Sequence, residues 1–431
     1  MSYPSDYRSK RCSADDALRL VADGDTIVVP TGAAETPRLL TALSEQRRRF
    51  RDVKVAQILP VRPFGYFDPA TAEHVRHVAY FLGPASRAGG QAGWIDYLPA
   101  YFAELPEMIR RELVPADVVF ALASPMDAHG YFSLGLAADY TMAAIERARA
   151  VVLEVNPGVP FAFGHCHVHV SQVAAVVESE EAIPEVGLPK IGAVQEAIGK
   201  YVAELIPDGA TLQIGYGGIP DAVVMQLTHK QDLGVHTEMF GDGILKLVEA
   251  GAVTNRLKNR HRGKMLATFA LGSKKLYEFM DRNPAFEMHP CDVTNDPYLA
   301  GQNDKLISVN ATMQVDLIGQ CGSETLGAVP VSGTGGQADF VRAANRSKGG
   351  KSFIVLPSTA VGNSVSRIVP MLTEGTQVST GKNDVNYVVT EFGVAQLRGK
   401  SAKARAEALI GIAHPDFRGE LRESARRMNL I

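Results

Sequence analysis

Apolar residues fall along this chain in two rhythms, short runs that read as buried strands and 3.6-spaced stripes that read as helices. Near the start, Ser13-Ala14-Asp15-Asp16-Ala17-Leu18 has the form of a capped helix start, and Val21-Ala22-Asp23-Gly24-Asp25 that of the turn ending it. Thr26-Ile27-Val28-Val29 predicts a strand, the loop from Pro30 to Pro37 follows, and Leu39, Leu40 and Leu43 predict the core face of a helix. Strand, loop and helix in that order form the unit of an open α/β sheet. Buried strands are also predicted over 116–122, 149–155, 264–269, 352–356 and 386–389, and closing helices over 402–410 and around Phe417 to Leu421.

The first unit returns later in the chain. Val202, Leu205 and Ile206 end a helix, Asp208-Gly209 turns, 211–214 reads as a strand, and Gly215-Tyr216-Gly217-Gly218-Ile219-Pro220 leads into another helix. Matching Asp23-Gly24 to Asp208-Gly209 gives an offset of 185 residues, and matching Pro37 to Pro220 gives 183, so only the loop length differs. Two related open α/β domains are therefore expected. The acidic stretch Glu178-Ser179-Glu180-Glu181, with Pro184 and Pro189 after it, sets the expected division at residues 1–188 and 189–431.

Composition narrows the function. With 431 residues, 46% hydrophobic, 21% charged and a formal net charge of −3, the chain is that of a soluble globular protein and not of one built to neutralise many phosphates, so no nucleic-acid partner is expected. Cys12, Cys166, Cys291 and Cys321 show no CxxC spacing, which fits reduced thiols in a cytoplasmic protein. The first twenty residues lack an apolar stretch of signal-peptide length and nowhere do eighteen apolar residues run together, so no membrane association is expected.

The candidate chemistry centres on Leu233 to Gly251. Val235 and Thr237 alternate with His236 and Glu238 as strand residues do, and Gly241-Asp242-Gly243 breaks the pattern before the helical stripe Ile244, Leu245, Leu247, Val248. Ligands of open parallel sheets collect where strands end, which makes Glu238 a candidate for chemistry. The loop Gly215 to Pro220 opens a helix whose free N–H groups can receive an anion or a carbonyl oxygen, although it has neither a dinucleotide fingerprint nor a P-loop. A second glycine loop, Ser332-Gly333-Thr334-Gly335-Gly336-Gln337, also precedes a helix and permits the close backbone approach an oxyanion pocket needs.

Other features carry less. His165, His167 and His169 share one face of a predicted strand, but tetrahedral zinc needs a fourth ligand, and no metal is expected. Arg47-Arg48-Arg49 with Arg51 lies between Glu45 and Asp52 and reads as a solvated helix end. Asp127 and His129 sit in a turn, and no serine occupies a GxSxG elbow.

From Gly215 to Arg418 the chain resembles the acetyl-CoA hydrolase/transferase family, class I CoA-transferases of the 4-hydroxybutyrate CoA-transferase type. The blocks that carry the resemblance are GYGGIPDAV, HTEMFGDGILKLVEAG, TNDPYLAGQND, SGTGGQADFVRAA, SKGGK, SRIVP, NDVNYVVTEFGVAQLRG and IAHPDFR, with SPMDAHGYFSLG and AADYTMAAIERA in the first half. The resemblance implies the CoA-transferase fold with the active site between its two domains, and a Glu238 nucleophile that forms glutamyl-CoA. It implies Asn295 and the Gly336 amide as oxyanion donors, and Gly215, Gly217, Gly218, Gly335 and Gly336 as residues lining CoA. Coenzyme A is then substrate and covalent intermediate, with no tightly bound cofactor, and the partners are an acyl-CoA and a small carboxylic acid; a homo-oligomer is also expected.

Within the family, VPTGAAETPRLLTALSEQRRRF, SRAGGQAGWIDYLP and FGHCHVHVSQVAA look most like the itaconate CoA-transferase branch, which implies succinyl-CoA and itaconate as substrates. The distal carboxylate of such an acid needs a cation, and Arg87, followed by Gly89-Gly90, is the candidate. The alternatives are a 4-hydroxybutyrate or acetate CoA-transferase, an acyl-CoA hydrolase, and a non-catalytic acyl-CoA sensor.

Overall fold

The structure, a computed structural model, describes residues 3–431. It divides into two compact units, the first Met1–Gly187 with Leu266–Thr294, the second Leu188–Met265 with Asn295–Ile431. The chain first passes between the units at Gly187–Leu188, where the sequence set a division after residue 188. A single boundary does not anticipate that 266–294, predicted only as second-half sequence, belongs to the first unit.

The first unit is built on a seven-stranded parallel sheet. Its strands are β1 (Thr26–Val28), β2 (Val53–Ile58), β3 (Val75–Phe81), β4 (Asp96–Tyr97), β5 (Val118–Ala123), β6 (Ala150–Val155) and β7 (Ala175–Glu178), in spatial order β7-β6-β5-β1-β2-β3-β4. Every residue of β5 and β6 is buried, as expected of a sheet covered on both faces. Helix α1 (Pro37–Glu45) follows β1, with Pro37 at its first turn, where the missing N–H goes unneeded. Leu39, Leu40 and Leu43 are fully buried, worth roughly 1.5–3 kcal/mol each. Ser13 caps the first predicted helix through the Asp16 N–H. A short helix, α2 (Arg87–Ala92), lies between β3 and β4.

The second unit repeats the plan. Its sheet comprises β8 (Thr211–Ile214), β9 (Gly234–Val235), β10 (Leu306–Ala311), β11 (Lys351–Val355), β12 (Tyr387–Thr390) and β13 (Gly393–Gln396), in spatial order β9-β8-β10-β11-β12-β13. Only β13 runs antiparallel. In the first unit the order is β2-β1-β5-β6-β7 and in the second β9-β8-β10-β11-β12, so the strand that follows the repeated Asp-Gly turn occupies the same place in both. Two related α/β halves account for this. The helices that matter below are α3 (Gly218–Met225), α4 (Asp242–Glu249), α5 (Pro297–Ala300) and α6 (Gln337–Arg346).

Several local expectations are refined. The 264–269 run is broken at Thr268 into Met265–Ala267 and Phe269–Ala270. The strand expected to reach Glu238 stops at Val235. His167–His169 does form a strand, paired antiparallel with Tyr131–Ser133. Its histidines keep some surface while Cys166 and Val168 are buried, as the alternation requires. No helix among the described residues is long and apolar enough to cross a membrane.

Candidate active site

The second unit gathers three of the predicted residues at one carboxylate. Glu238 lies between the end of β9 and the start of α4, on a segment held from several sides. The Asn255 Oδ1 accepts from the Val235 N–H at 2.9 Å, and the buried Lys258 ammonium donates to the Val235 carbonyl at 2.7 Å. The His236 N–H continues the sheet to the Leu212 carbonyl, and the Thr237 hydroxyl meets both the N–H and the carbonyl of Ile214. These bonds fix the course of the chain through His236 and Thr237 after the strand ends. They also set Ile214, and so the Gly215 loop, beside the residue that precedes Glu238.

Asn295 donates from Nδ2 to Glu238 Oε2 at 2.7 Å. Asn295 is fully buried, and its Oδ1 has no partner. The next residue, Asp296, caps α5 by accepting the N–H groups of Tyr298 and Leu299, which anchors the backbone just past the asparagine.

Gly336 caps α6, and its N–H faces the Glu238 carboxylate. Its φ of −102° suits any residue, so glycine is required here by space: a Cβ would run into Glu238 Oε2 and Asn295 Nδ2. The preceding Gly335 has a φ of +53°, a left-handed turn that aims the next amide. Gln337 fixes the first turn of α6 by donating to the hydroxyls of Ser323 and Thr380, both at 3.1 Å. Sequence reasoning passed over Gln337 and Lys258; in one sequence nothing distinguishes a glutamine at a helix start or a lysine in a loop until their partners are known.

The predicted glycines Gly215, Gly217 and Gly218 follow β8 and open α3, as the pattern required. A Cβ on Gly215 would press on Asn310 Oδ1 and the Val309 carbonyl, and Gly217, at φ +128°, is open to space. Arg87 opens α2 in the first unit and is half-buried. The first unit has its own hollow of about 660 Å³ at the carboxyl ends of β5, β6 and β7, lined by Ser124, Met126, Asn156 and Phe161 among others.

Burial pushes the Glu238 carboxyl from its ordinary 4.5 up to about 7, and the bonds from Asn295 and Gly336 pull it back only in part. A substantial fraction of this carboxyl is therefore protonated near neutral pH. A poorly solvated carboxylate with two N–H donors on one side is placed to attack an electrophile and to have its own carbonyl oxygen stabilised afterwards.

Comparison with known proteins places the chain in a family. Residues 1–186 match the Acetyl-CoA hydrolase/transferase N-terminal domain, and residues 272–425 match the Acetyl-CoA hydrolase/transferase C-terminal domain. The chain belongs to the acetyl-CoA hydrolase/transferase family. It is an enzyme of the CoA-transferase class. Over 430 residues it is 50% identical to the succinyl-CoA:cyclohexane-1-carboxylate CoA transferase of Geobacter metallireducens, covering 100% of this chain and 98% of that protein. It is 41% identical over 421 residues to the 4-hydroxybutyrate coenzyme A transferase of Clostridium kluyveri, covering 98% of each. Among solved structures, RipA from Yersinia pestis superposes with a TM-score of 0.95 at 36% identity over 100% of both chains. The 4-hydroxybutyrate CoA-transferase of Porphyromonas gingivalis gives a TM-score of 0.86 at 38% identity, covering 99% of this family member and 100% of that chain.

Proposed function

We propose that this acetyl-CoA hydrolase/transferase family member moves CoA between succinyl-CoA and a carboxylic acid, itaconate first among the candidates, through a thioester on Glu238. The observation that carries the reading is the Glu238 carboxylate, with Asn295 Nδ2 bonded to Oε2 at 2.7 Å and the Gly336 N–H facing it. Succinyl-CoA as donor is supported by the names of two relatives, the Geobacter enzyme and the succinyl-CoA:acetate/propanoyl-CoA:succinate CoA transferase of Fasciola hepatica.

Glu238 attacks the thioester carbonyl, the C–S bond breaks, and CoA leaves as a thiolate, giving an acyl-glutamyl anhydride. The thiolate then attacks the glutamyl carbonyl. The anhydride C–O bond breaks, the first acid departs as its carboxylate, and Glu238 is left as a thioester with CoA. A second acid runs the same steps backwards. In the attack on the glutamyl carbonyl, charge develops on the side-chain oxygen, where Asn295 and Gly336 already stand. No proton need be transferred, because carboxylates attack and leave as anions and CoA leaves as thiolate.

The acceptor is read from sequence resemblance to the itaconate branch, with Arg87 as the cation for its distal carboxylate. The 50% identity to the Geobacter enzyme favours a second reading, a monocarboxylic ring acid. An acid panel separates them: with succinyl-CoA as donor, itaconate, cyclohexane-1-carboxylate, 4-hydroxybutyrate and acetate are compared by acyl-CoA product, and free thiol is followed in parallel. Itaconate is expected to lead, and Arg87→Ala to raise its KM. Faster turnover of cyclohexane-1-carboxylate would transfer the reading to the ring acid, and thiol release indifferent to every acid would make the protein a hydrolase.

A further inference from the structure

The loop that carries the Gly336 amide is rich in the residue least able to hold a backbone still. Gly333, Gly335 and Gly336 fall within four residues, and glycine loses more backbone freedom on ordering than any other residue. An N–H that is to meet developing charge must already be in place when the charge appears. The loop therefore needs to be fixed from outside.

Both sides of Gly335-Gly336 are tied to one short segment. Before the pair, the Thr334 hydroxyl donates to Glu324 Oε2 at 3.2 Å. After it, Gln337 Nε2 donates to the Ser323 hydroxyl at 3.1 Å. The Val331 and Ser332 N–H groups share the Glu324 carbonyl at 2.8 and 3.1 Å, and the Ser332 hydroxyl donates to the Ser323 carbonyl at 3.1 Å. The loop thus closes on two consecutive residues, of which Glu324 is buried.

That segment is fixed to the sheet in turn. The Ser323 hydroxyl donates to Thr312 Oγ1 at 2.8 Å, and the Thr312 hydroxyl to the Gly322 carbonyl at 3.0 Å. Thr312 directly follows β10, and its N–H bonds to the carbonyl of Val355, the last residue of β11, at 3.1 Å. Each hydroxyl in the run accepts from the side of Gln337 and passes its own proton on towards Gly322, so every rotor is set by its neighbour. We infer that Ser323 and Glu324 are positioning residues of the CoA-transfer reaction, clamping the loop on both sides of Gly335-Gly336 so that the Gly336 N–H is held against Glu238. The role rests on the Glu238 mechanism; the clamp itself does not.

The test compares the full-length protein with Ser323→Ala and Thr334→Val, which cut the ties after and before the glycine pair, and with Thr334→Ser, which restores the hydroxyl. Melting temperatures are taken first. Deuterium uptake over residues 331–340, a readout that needs no turnover, is expected to quicken in Ser323→Ala and Thr334→Val and to stay parental in Thr334→Ser. With succinyl-CoA as donor, kcat is expected to fall about tenfold in the first two at an unchanged KM, because an amide acting on developing charge leaves substrate binding alone. Thr334→Ser should recover the parental kcat. Burial raises the Glu238 carboxyl and the Gly336 bond lowers it, so the acid limb of the kcat profile should also move to higher pH in both clamp variants, a shift that plain loosening of the fold does not produce. Quickened uptake with parental kcat and a parental pH profile would overturn the positioning role, and parental uptake in both folded variants would overturn the clamp. A parent enzyme without acid-dependent CoA transfer would strike the Glu238 mechanism and the role with it, while uptake still decides the clamp.

Discussion

Glu154 and Glu238 are both carboxylates pushed up to about 7 by burial, yet they are held in different ways. Glu154, fully buried on β6, divides its two oxygens between the N–H groups of Arg38 and Leu39, at 3.2 and 3.0 Å, where α1 begins. It closes a helix start, with Ser179 as a further side-chain donor and the Glu181 charge nearby. Glu238 takes Asn295 on one oxygen, has no side-chain partner on the other, and keeps part of its surface. Burial alone therefore does not separate the two; Glu238 differs in taking a side-chain donor on one oxygen only and in keeping part of its surface. Glu35, held by Arg62 at 2.6 Å and by the Val61 N–H, falls on the side of Glu154.

The comparison breaks most visibly on exchange of oxygen for nitrogen. Glu238→Gln keeps the shape and the Asn295 bond but loses the nucleophile, so CoA exchange should fall on the order of 10⁴-fold or more while the protein melts no lower than the parent. A variant with near-parental exchange would remove Glu238 from the mechanism. Next in size is Asn295→Ala, which takes away one donor and should cost about 10²- to 10³-fold in kcat. A change of only a few fold would leave the Gly336 amide as the donor that matters.

Glu154→Gln is expected to act on stability instead. Its new amide would set a donor against a backbone donor, and denaturant unfolding at pH 8 should show a loss of about 1–3 kcal/mol with exchange activity kept in the folded fraction. Unchanged stability would show that Glu154 is not the bond acceptor described.

How much of this was readable in the chain depends on whether the cause was local. The strands over 118–123 and 150–155 and the helix of Leu39, Leu40 and Leu43 announced themselves because apolar runs and spacing decide them locally. The repeat at offsets of 183 and 185 residues implied two related α/β halves, and the shared strand order is seen only in the fold. The return of 266–294 to the first unit was not legible, since no turn chemistry distinguishes that crossing from an ordinary loop. At the site, Glu238 and the Gly335-Gly336 loop stood out from the strand end and the glycine pattern, while Asn295 and the roles of all three came from motif resemblance. Their meeting, across sequence gaps of 57 residues from Glu238 to Asn295 and 41 from Asn295 to Gly336, is tertiary. The raised carboxyl was missed because desolvation depends on what the fold places around it.

The smallest expected effect is the pH response. Glu238 carries a raised carboxyl, so its ionised fraction, and kcat if attack limits the rate, should fall about tenfold from pH 8 to pH 6. The same proton favours the folded state below about pH 4.5, and that advantage fades as pH climbs through about 7, so Glu238→Gln should gain stability over the parent above neutrality. A flat kcat profile over pH 6–8 would mean that another step limits turnover.

The most direct measurement of the central claim is the mass of the Glu238 peptide after incubation of the enzyme with succinyl-CoA, rapid acid quench and digestion. The account predicts CoA attached to the peptide containing Glu238, lost on adding an acceptor acid and absent from Glu238→Gln. Exchange activity without that adduct, together with an active Glu238→Gln enzyme, would contradict it.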